Sequence, residues 1–268
     1  MTRPPISITE YFSQESPVAT EYRRLFQNLK KADDQAELKS ILVTSAITGE
    51  GKSTISALLA ITAARKGNRT LLIDADIRRP SIHGLFQLER YHGLVDVILD
   101  AEPSKNVIKK TSIDQLDVIT AGKATAHPSE LFNTPAIESL FRELKFYYDY
   151  LVIDSPPVIP VSDPMLLSLV VDGVLLVVKA GSTARQVARR AVDILTTNHA
   201  NVLGVVLNNA SNSLPYYYDH SHYHYNYSTT GDAGGVKGRS GNNRTVGNDK
   251  PGGRKDAGPS RDGKHLAT

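Results

Sequence analysis

Two glycines, a lysine and three hydroxyls fall together in Ala46-Ile-Thr-Gly-Glu-Gly-Lys-Ser-Thr54. Gly49 and Gly51 permit backbone angles that a side chain would forbid, so successive N–H groups can converge on one anion where a helix begins near Lys52. Lys52 then reaches the β- and γ-phosphates of a nucleotide, and the Ser53 hydroxyl ligates Mg²⁺. The strict pattern G-x-x-x-x-G-K-[ST] fails at its first position, which Ala46 occupies. The flanks restore it: Ile41-Leu-Val43 reads as a buried strand and Thr54 to Arg65 as a helix. An ordinary glycine-containing loop before a helix is the plainer alternative.

Two further stretches end apolar runs in carboxylates. Thr70-Leu-Leu-Ile73 leads into Asp74-Ala-Asp76-Ile-Arg78-Arg79. Acids at the carboxyl end of a parallel strand, beside the strand of the glycine loop, face the crevice where ligands bind in open α/β sheets. Two acids spaced i, i+2 point the same way while the chain is extended, so both can address one metal–phosphate centre. A solvated strand-to-loop turn is the competing reading. Tyr150-Leu-Val-Ile-Asp154-Ser-Pro-Pro157 repeats the design, and its Asp154 stands where a Walker B carboxylate holds Mg²⁺ or a water of its shell. Asn208, closing the last apolar run, stands where a base could be read, although Asn at strand ends is ordinary turn chemistry.

Alternating periodicities place these tips. A helix is expected from Val18 to Lys31, strands at Thr70 to Ile73, Leu116 to Thr120, Leu151 to Asp154, Gly173 to Lys179 and Val202 to Asn208, and helices at Ala136 to Tyr147 and Ala184 to Thr197. Shorter helical pieces are expected at Ile82 to Phe86, Gly93 to Leu99 and from His127 to Phe132. The predicted architecture is α/β: a mostly parallel, doubly wound sheet with helices on both faces.

Composition narrows the function classes. The chain has 268 residues and 40% apolar ones, enough for a real core, and no cysteine, which excludes disulfides and Cys-ligated metal. Scattered histidines (His83, His92, His127) make a poor metal site. The N-terminal stretch Met1 to Phe12 has no signal-peptide core, and the run Gly173 to Val178 is too short to cross a bilayer, so the chain is expected to be soluble and cytosolic. Net charge is +3, but residues 228–268 hold eight Lys/Arg against four Asp. The basic excess therefore belongs to the tail, which argues against a nucleic-acid partner for the core.

Residues 1–16 read as a loose arm and 17–212 as the nucleotide-binding domain. Residues 213–227 form a tyrosine-rich cluster, with Tyr216, Tyr217, Tyr218, Tyr223, Tyr225 and Tyr227 holding half of the chain's twelve tyrosines. Its rings alternate with polar neighbours in a pattern that suits exposed phosphate acceptors, or a sticky His-rich metal-binding segment. Residues 228–268 carry ten of nineteen glycines and no periodicity, and are expected to be disordered.

Taken together, Ser45 to Thr54, Leu71-Leu-Ile-Asp-Ala-Asp-Ile-Arg-Arg79, Leu151-Val-Ile-Asp-Ser-Pro-Pro157 and the tyrosine cluster resemble the bacterial tyrosine kinases of capsule and exopolysaccharide synthesis, in the form where the kinase is a separate cytoplasmic chain. The resemblance covers roughly residues 5–227. It implies a P-loop NTPase fold, ATP and Mg²⁺ as cofactors, and a loop from Thr48 through Gly49, Glu50, Gly51, Lys52 and Ser53 to Thr54 around the phosphates. Ser53, Asp74 and Asp154 would serve the metal, with Asp76 supporting. Asp74 would accept or steer the tyrosine proton, and the clustered tyrosines would be the acceptors. Two positions depart from the family pattern. Thr48 replaces a frequent proline, which loosens the turn without removing a ligand. The self-assembly motif Glu-x-x-Arg-x-x-Arg reads Glu21-Tyr-Arg-Arg24-Leu-Phe-Gln27 and lacks its last charge. The resemblance further implies a homo-oligomer, a membrane-embedded activator that recruits the chain to the inner face of the cell membrane, and an opposing tyrosine phosphatase. The rivals are a partitioning ATPase, whose signature lysine would stand where this chain has Ile47, and an adaptor in which nucleotide only sets assembly.

Overall fold

The computed structural model describes residues 8, 16–32, 38–125 and 128–210. The chain divides into the unit Met1–Asp219 and the unit His220–Thr268, the second wholly outside the described residues. Most of the N-terminal arm, His127, the tyrosine cluster and the glycine-rich tail also lie outside them.

The elements follow as α1 (Pro17–Ala32), β1 (Ser40–Ser45), α2 (Lys52–Arg65), β2 (Thr70–Asp74), α3 (Ile82–Phe86), α4 (Leu94–Asp100), α5 (Ser104–Val107), β3 (Ile108–Lys110), β4 (Leu116–Ile119), α6 (Pro128–Phe132), α7 (Pro135–Tyr147), β5 (Tyr150–Asp154), α8 (Asp163–Ser168), β6 (Gly173–Lys179), α9 (Arg185–Thr197) and β7 (Val202–Asn208). The seven strands form one sheet in the order β3-β4-β2-β5-β1-β6-β7, parallel except for β3. The apolar runs are what a parallel sheet requires, since its inner strands are covered on both faces. β1 and β2 are accordingly buried at every residue.

Alternation along the strands splits the core in two. Leu42, Leu71, Ile73, Leu151 and Ile153 meet Ile137, Leu140, Phe141 and Leu144 of α7, Leu167 of α8 and Leu195 of α9. Ile41, Val43, Leu72 and Val152 meet Phe26 and Leu29 of α1, the buried length of α2, and Ile82 and Phe86 of α3. Phe26 also sets its ring edge-on to Tyr150, centroids 5.2 Å apart.

One expectation is corrected. β2 does not lie beside the glycine-loop strand, because β5 is inserted between them. The crossover from β1 through α2 skips a strand position: α2, buried at every residue from Ile55 to Ala64, packs across β1, β2 and β5 together. Three elements escape the sequence periodicity: α5, the three-residue antiparallel edge strand β3 with two of its three residues lysine, and α8, which opens on Asp163-Pro164. Among the described residues no helix is long and apolar enough to cross a membrane.

Candidate active site

The sheet register brings the chemical stretches together. Asp154 at the tip of β5 pairs with Val43 on one side and with Asp74 on the other. The chain stays stitched beyond the strands, with Ala75 N–H donating to the Asp154 carbonyl at 2.8 Å and Val158 N–H to the Ser45 carbonyl at 2.8 Å. The glycine loop and both acids thus occupy the carboxyl edge of three consecutive strands, where open α/β sheets bind ligands.

Gly49 and Gly51 have φ of +87° and +90°, the left-handed region that glycine enters freely. Gly51 has a second reason: a Cβ there would lie 2.3 Å from Asn208 Nδ2. α2 begins at the next residue, so its first N–H groups and the positive end of its dipole face the loop.

The loop is held by residues far away in sequence. The Glu50 side chain is 2% exposed and turns into the protein. Its Oε2 accepts from Ile47 N–H at 2.8 Å; its Oε1 accepts from Lys179 N–H at 3.2 Å and from the Thr183 hydroxyl. Asn208 Nδ2 donates to the Glu50 carbonyl at 2.8 Å, and Asn208 Oδ1 accepts from Asn209 N–H. Asn208, expected beside a base, engages the protein through each end of its amide and so also braces the loop from the tip of β7. Glu50 likewise offers a ligand its backbone and not its carboxylate. Glu50→Gln replaces an acceptor with an N–H₂ facing N–H donors, so about tenfold weaker ATP binding is expected, with stability lowered by about 1–2 kcal/mol; isothermal titration and thermal melts check both.

Lys52 Nζ sits 2.7 Å from Asp76 Oδ2 and donates to Ser53 Oγ at 3.2 Å. Burial works against its charge, but Asp154, Asp76 and Asp74 outweigh it and hold the ammonium above its ordinary range. Asp76 also accepts from Arg79 N–H at 3.0 Å. Asp74 is fully buried, and its Oδ2 accepts from Ser81 and Ile82 N–H at 3.1 and 3.0 Å, which ties it to the start of α3. Asp154 Oδ1 accepts from Ser56 at 3.1 Å. Burial, then the charge of Asp154, pushes Asp74 well above the usual carboxylate range, and burial pushes Asp154 up to about 6 against the opposing pull of Lys52.

Among the described residues each of these buried acids keeps one oxygen, Asp74 Oδ1 and Asp154 Oδ2, that accepts no hydrogen bond, although the Ser53 hydroxyl helps to hold Asp154 ionised. Two such atoms on neighbouring strand tips are costly unless something positive meets them. A hard divalent cation carried in by nucleotide phosphates fits: Mg²⁺ takes one or two carboxylates, a hydroxyl such as Ser53 and phosphate oxygens, so a complete protein cage is not needed. Both acids must be ionised to serve it. Because their folded pKa values are raised, protons displace the cation as pH falls through about 6. The Mg²⁺-dependent part of ATP binding is therefore expected to fall about tenfold between pH 7.5 and pH 5.5, read by titration with and without EDTA.

Thr48, Gly49 and Thr54 are exposed around the loop, and Ser53 is half-buried. Glu21 and Arg24 lie away from the site on α1, paired with each other at 2.6 Å and exposed. Sequence reasoning missed Asp163. It is fully buried and grips Arg78 through two contacts of 2.8 and 3.1 Å, with the Ser129 hydroxyl on the same carboxylate. This clamp fixes the loop that carries Asp76. Its only signal was an Asp before a proline, which reads as a helix cap.

A glycine anion cradle at a helix start, facing acids on adjacent parallel strand tips, defines a P-loop nucleotide-binding protein. A family model described as ParA: NUBPL iron-transfer P-loop NTPase matches residues 38–233. The chain is 36% identical over 208 residues to tyrosine-protein kinase YwqD of Bacillus subtilis, covering 78% of this chain and 86% of that one. It is 35% identical to the putative tyrosine-protein kinase CapB of Staphylococcus aureus, covering 76% and 91%. The solved chimerical protein CapA2B2 superposes with a TM-score of 0.71 at 34% identity, covering 74% of this chain and 87% of that one. This chain belongs to the bacterial tyrosine kinases of capsule and exopolysaccharide synthesis, a branch of the ParA-type P-loop NTPases.

Proposed function

We propose that the chain transfers the γ-phosphoryl group of Mg·ATP to tyrosines of its own cluster, Tyr216 to Tyr227, and through that modification regulates extracellular polysaccharide synthesis. The observation that carries the site assignment is the pair of unpartnered buried oxygens, Asp74 Oδ1 and Asp154 Oδ2, beside Lys52. The loop from Thr48 to Thr54 cradles the phosphates, and Lys52 leaves Asp76 to meet the γ-phosphate charge. Ser53, Asp74 and Asp154 would hold Mg²⁺, which when bound offsets negative charge on the phosphate oxygens. Asp76 supports that end of the site.

In the transfer, the bond from γ-phosphorus to the oxygen bridging it to the β-phosphate breaks. A bond from γ-phosphorus to the tyrosine oxygen forms, and ADP leaves with the bridging oxygen. The hydroxyl proton passes towards Asp74 and on to solvent. A tyrosine hydroxyl has a pKa of about 10, so an ordinary carboxylate aligns it more than it deprotonates it in the ground state; burial, which raises the basicity of Asp74, narrows that gap.

The cluster is presented to the site of a neighbouring subunit in a homo-oligomer. Glu21 and Arg24 pair within α1 in the single chain and exchange partners at that contact. A membrane-embedded activator brings the chain to the inner face of the cell membrane, and a tyrosine phosphatase reverses the reaction. Incubation of the full chain and of a chain truncated after Asn212 with labelled ATP tests this. Label on tyrosines 216–227 of the full chain, and none on the truncated one, is expected. Free phosphate alone would make the protein an ATPase, and neither product would make it an adaptor.

A further inference from the structure

α9 is an exposed helix with three arginines, Arg185, Arg189 and Arg190, against a single acid, Asp193. None of the three arginines makes a hydrogen bond or ion pair among the described residues. Arg185 and Arg189 stand one turn apart on one face, a like-charge pair that weakens an isolated helix. Arg190 borders a cavity of about 530 Å³ whose floor includes Ile159, Met165 and Ile194. The apolar hollow is lined by one guanidinium, that of Arg190, with the Asp193 carboxylate on the same wall, and Arg189 and Arg185 precede it along the helix; a ligand that joins a flat ring to a dianion suits the hollow and the arginines together.

Such a ligand can be carried by the chain itself. Lys179, at the end of β6, is in register with Asn208 at the end of β7, and Ala180 N–H donates to the Asn208 carbonyl at 2.8 Å. Arg185 follows Ala180 by five residues, a span of at most about 18 Å, and Tyr216 follows Ala210 by six, a reach of about 20 Å. Only six residues link Ala210 to Tyr216, so a link of that length would give the triplet a high effective concentration at a face it can reach.

We propose that Arg185, Arg189 and Arg190 with the adjoining cavity form a docking face for the phosphorylated triplet Tyr216-Tyr217-Tyr218 of the same chain. Each phosphotyrosine brings close to two negative charges and three acceptor oxygens, which arginine forks bind in bidentate fashion. Before modification the triplet carries no charge for α9 to hold and remains free for transfer. Afterwards it is captured at home and withdrawn from the neighbouring site. The inference rests on the cluster being the acceptor, as proposed above, but its test does not.

A labelled synthetic peptide of residues 213–220, with and without phosphate on its three tyrosines, is titrated into the full chain in the absence of ATP by fluorescence anisotropy. At least about tenfold tighter binding of the phosphopeptide is expected, weakening with salt, and Arg185→Gln/Arg189→Gln/Arg190→Gln removes that preference. Circular dichroism checks the fold of the variant; if it melts early, Arg190→Gln alone carries the test with at least about a threefold loss. Equal binding of the two peptides, or full binding by a folded variant, overturns the proposal. So does arginine-dependent binding to phosphatidylglycerol vesicles with none to the phosphopeptide, which would make α9 a membrane contact. A chain that never labels its own tyrosines from ATP refutes the acceptor assignment separately.

Discussion

Lys52→Met is expected to leave a folded chain that incorporates no detectable phosphate on tyrosine, a loss of at least about 10³-fold in rate. The side chain is 13% exposed, poised 2.7 Å from Asp76, and kept charged by three surrounding carboxylates. It is the cation of this pocket that can move to the phosphates, since their charge outbids one carboxylate. Methionine fills a similar volume without charge, so the fold keeps its packing while the developing charge on the transferred group loses its nearest counter-ion. It also takes the counter-ion from Asp76 in a buried site, leaving only the hydrogen bond from Arg79 N–H, which costs about 1–3 kcal/mol of stability. A phosphotyrosine blot after incubation with ATP reads the first effect and a thermal melt the second. Undiminished labelling would remove Lys52 from the mechanism.

Asp154→Asn should separate activity from stability in the opposite way. The acid lies fully buried with one oxygen bare, and burial lifts it from 3.8 to about 6, a shift worth roughly 3 kcal/mol against the folded state once the group is ionised. Below pH 3.8 the carboxyl is protonated whether folded or not, and the penalty is absent. It grows as pH rises towards 6 and is complete above that. Asparagine keeps the acceptor for Ser56 and removes the charge. At pH 7.5 and without nucleotide, the variant is therefore expected to melt at least about 4 °C higher than the wild type, and the difference should shrink as pH falls from 6 to 4. Kinase activity should fall at least about 10²-fold, because a carboxylate that would hold the divalent cation is gone. Calorimetry across pH and the tyrosine blot give both readings; a variant less stable and fully active would refute the assignment.

Such an inverse relation would mark the site as one held ready at the expense of the fold. Asp74 and Asp154 are the kind of buried, unsatisfied groups that a purely structural protein replaces, and both stand at the strand tips beside the glycine loop.

How much of this was legible beforehand follows from distance along the chain. The glycine loop, the two acid-tipped strands and their order are local facts, written in adjacent residues, and α2, β2, β5, β6 and β7 fall where periodicity puts them. The insertion of β5 between β1 and β2 is not local: it is decided by how far α2 carries the chain across the sheet, and no residue spells it. The same holds for the loop brace. Glu50 looks like a polar loop residue until partners 129 and 133 positions away reach it, and Asn208 like a turn residue until it meets Gly51. The clamp of Asp163 on Arg78 spans 85 positions. A buried carboxylate cannot be told from an exposed one by its neighbours in sequence when its partners come from another strand.

The measurement that bears most directly on this account is the equilibrium affinity of purified wild-type chain for ATP at pH 7.5, with Mg²⁺ and with EDTA, repeated on Asp74→Asn and Asp154→Asn. A cation held between the nucleotide and two strand tips predicts at least about tenfold tighter binding with Mg²⁺ in the wild type, and loss of most of that gain in either variant. The same affinity with and without Mg²⁺, or a gain that survives both substitutions, would contradict it.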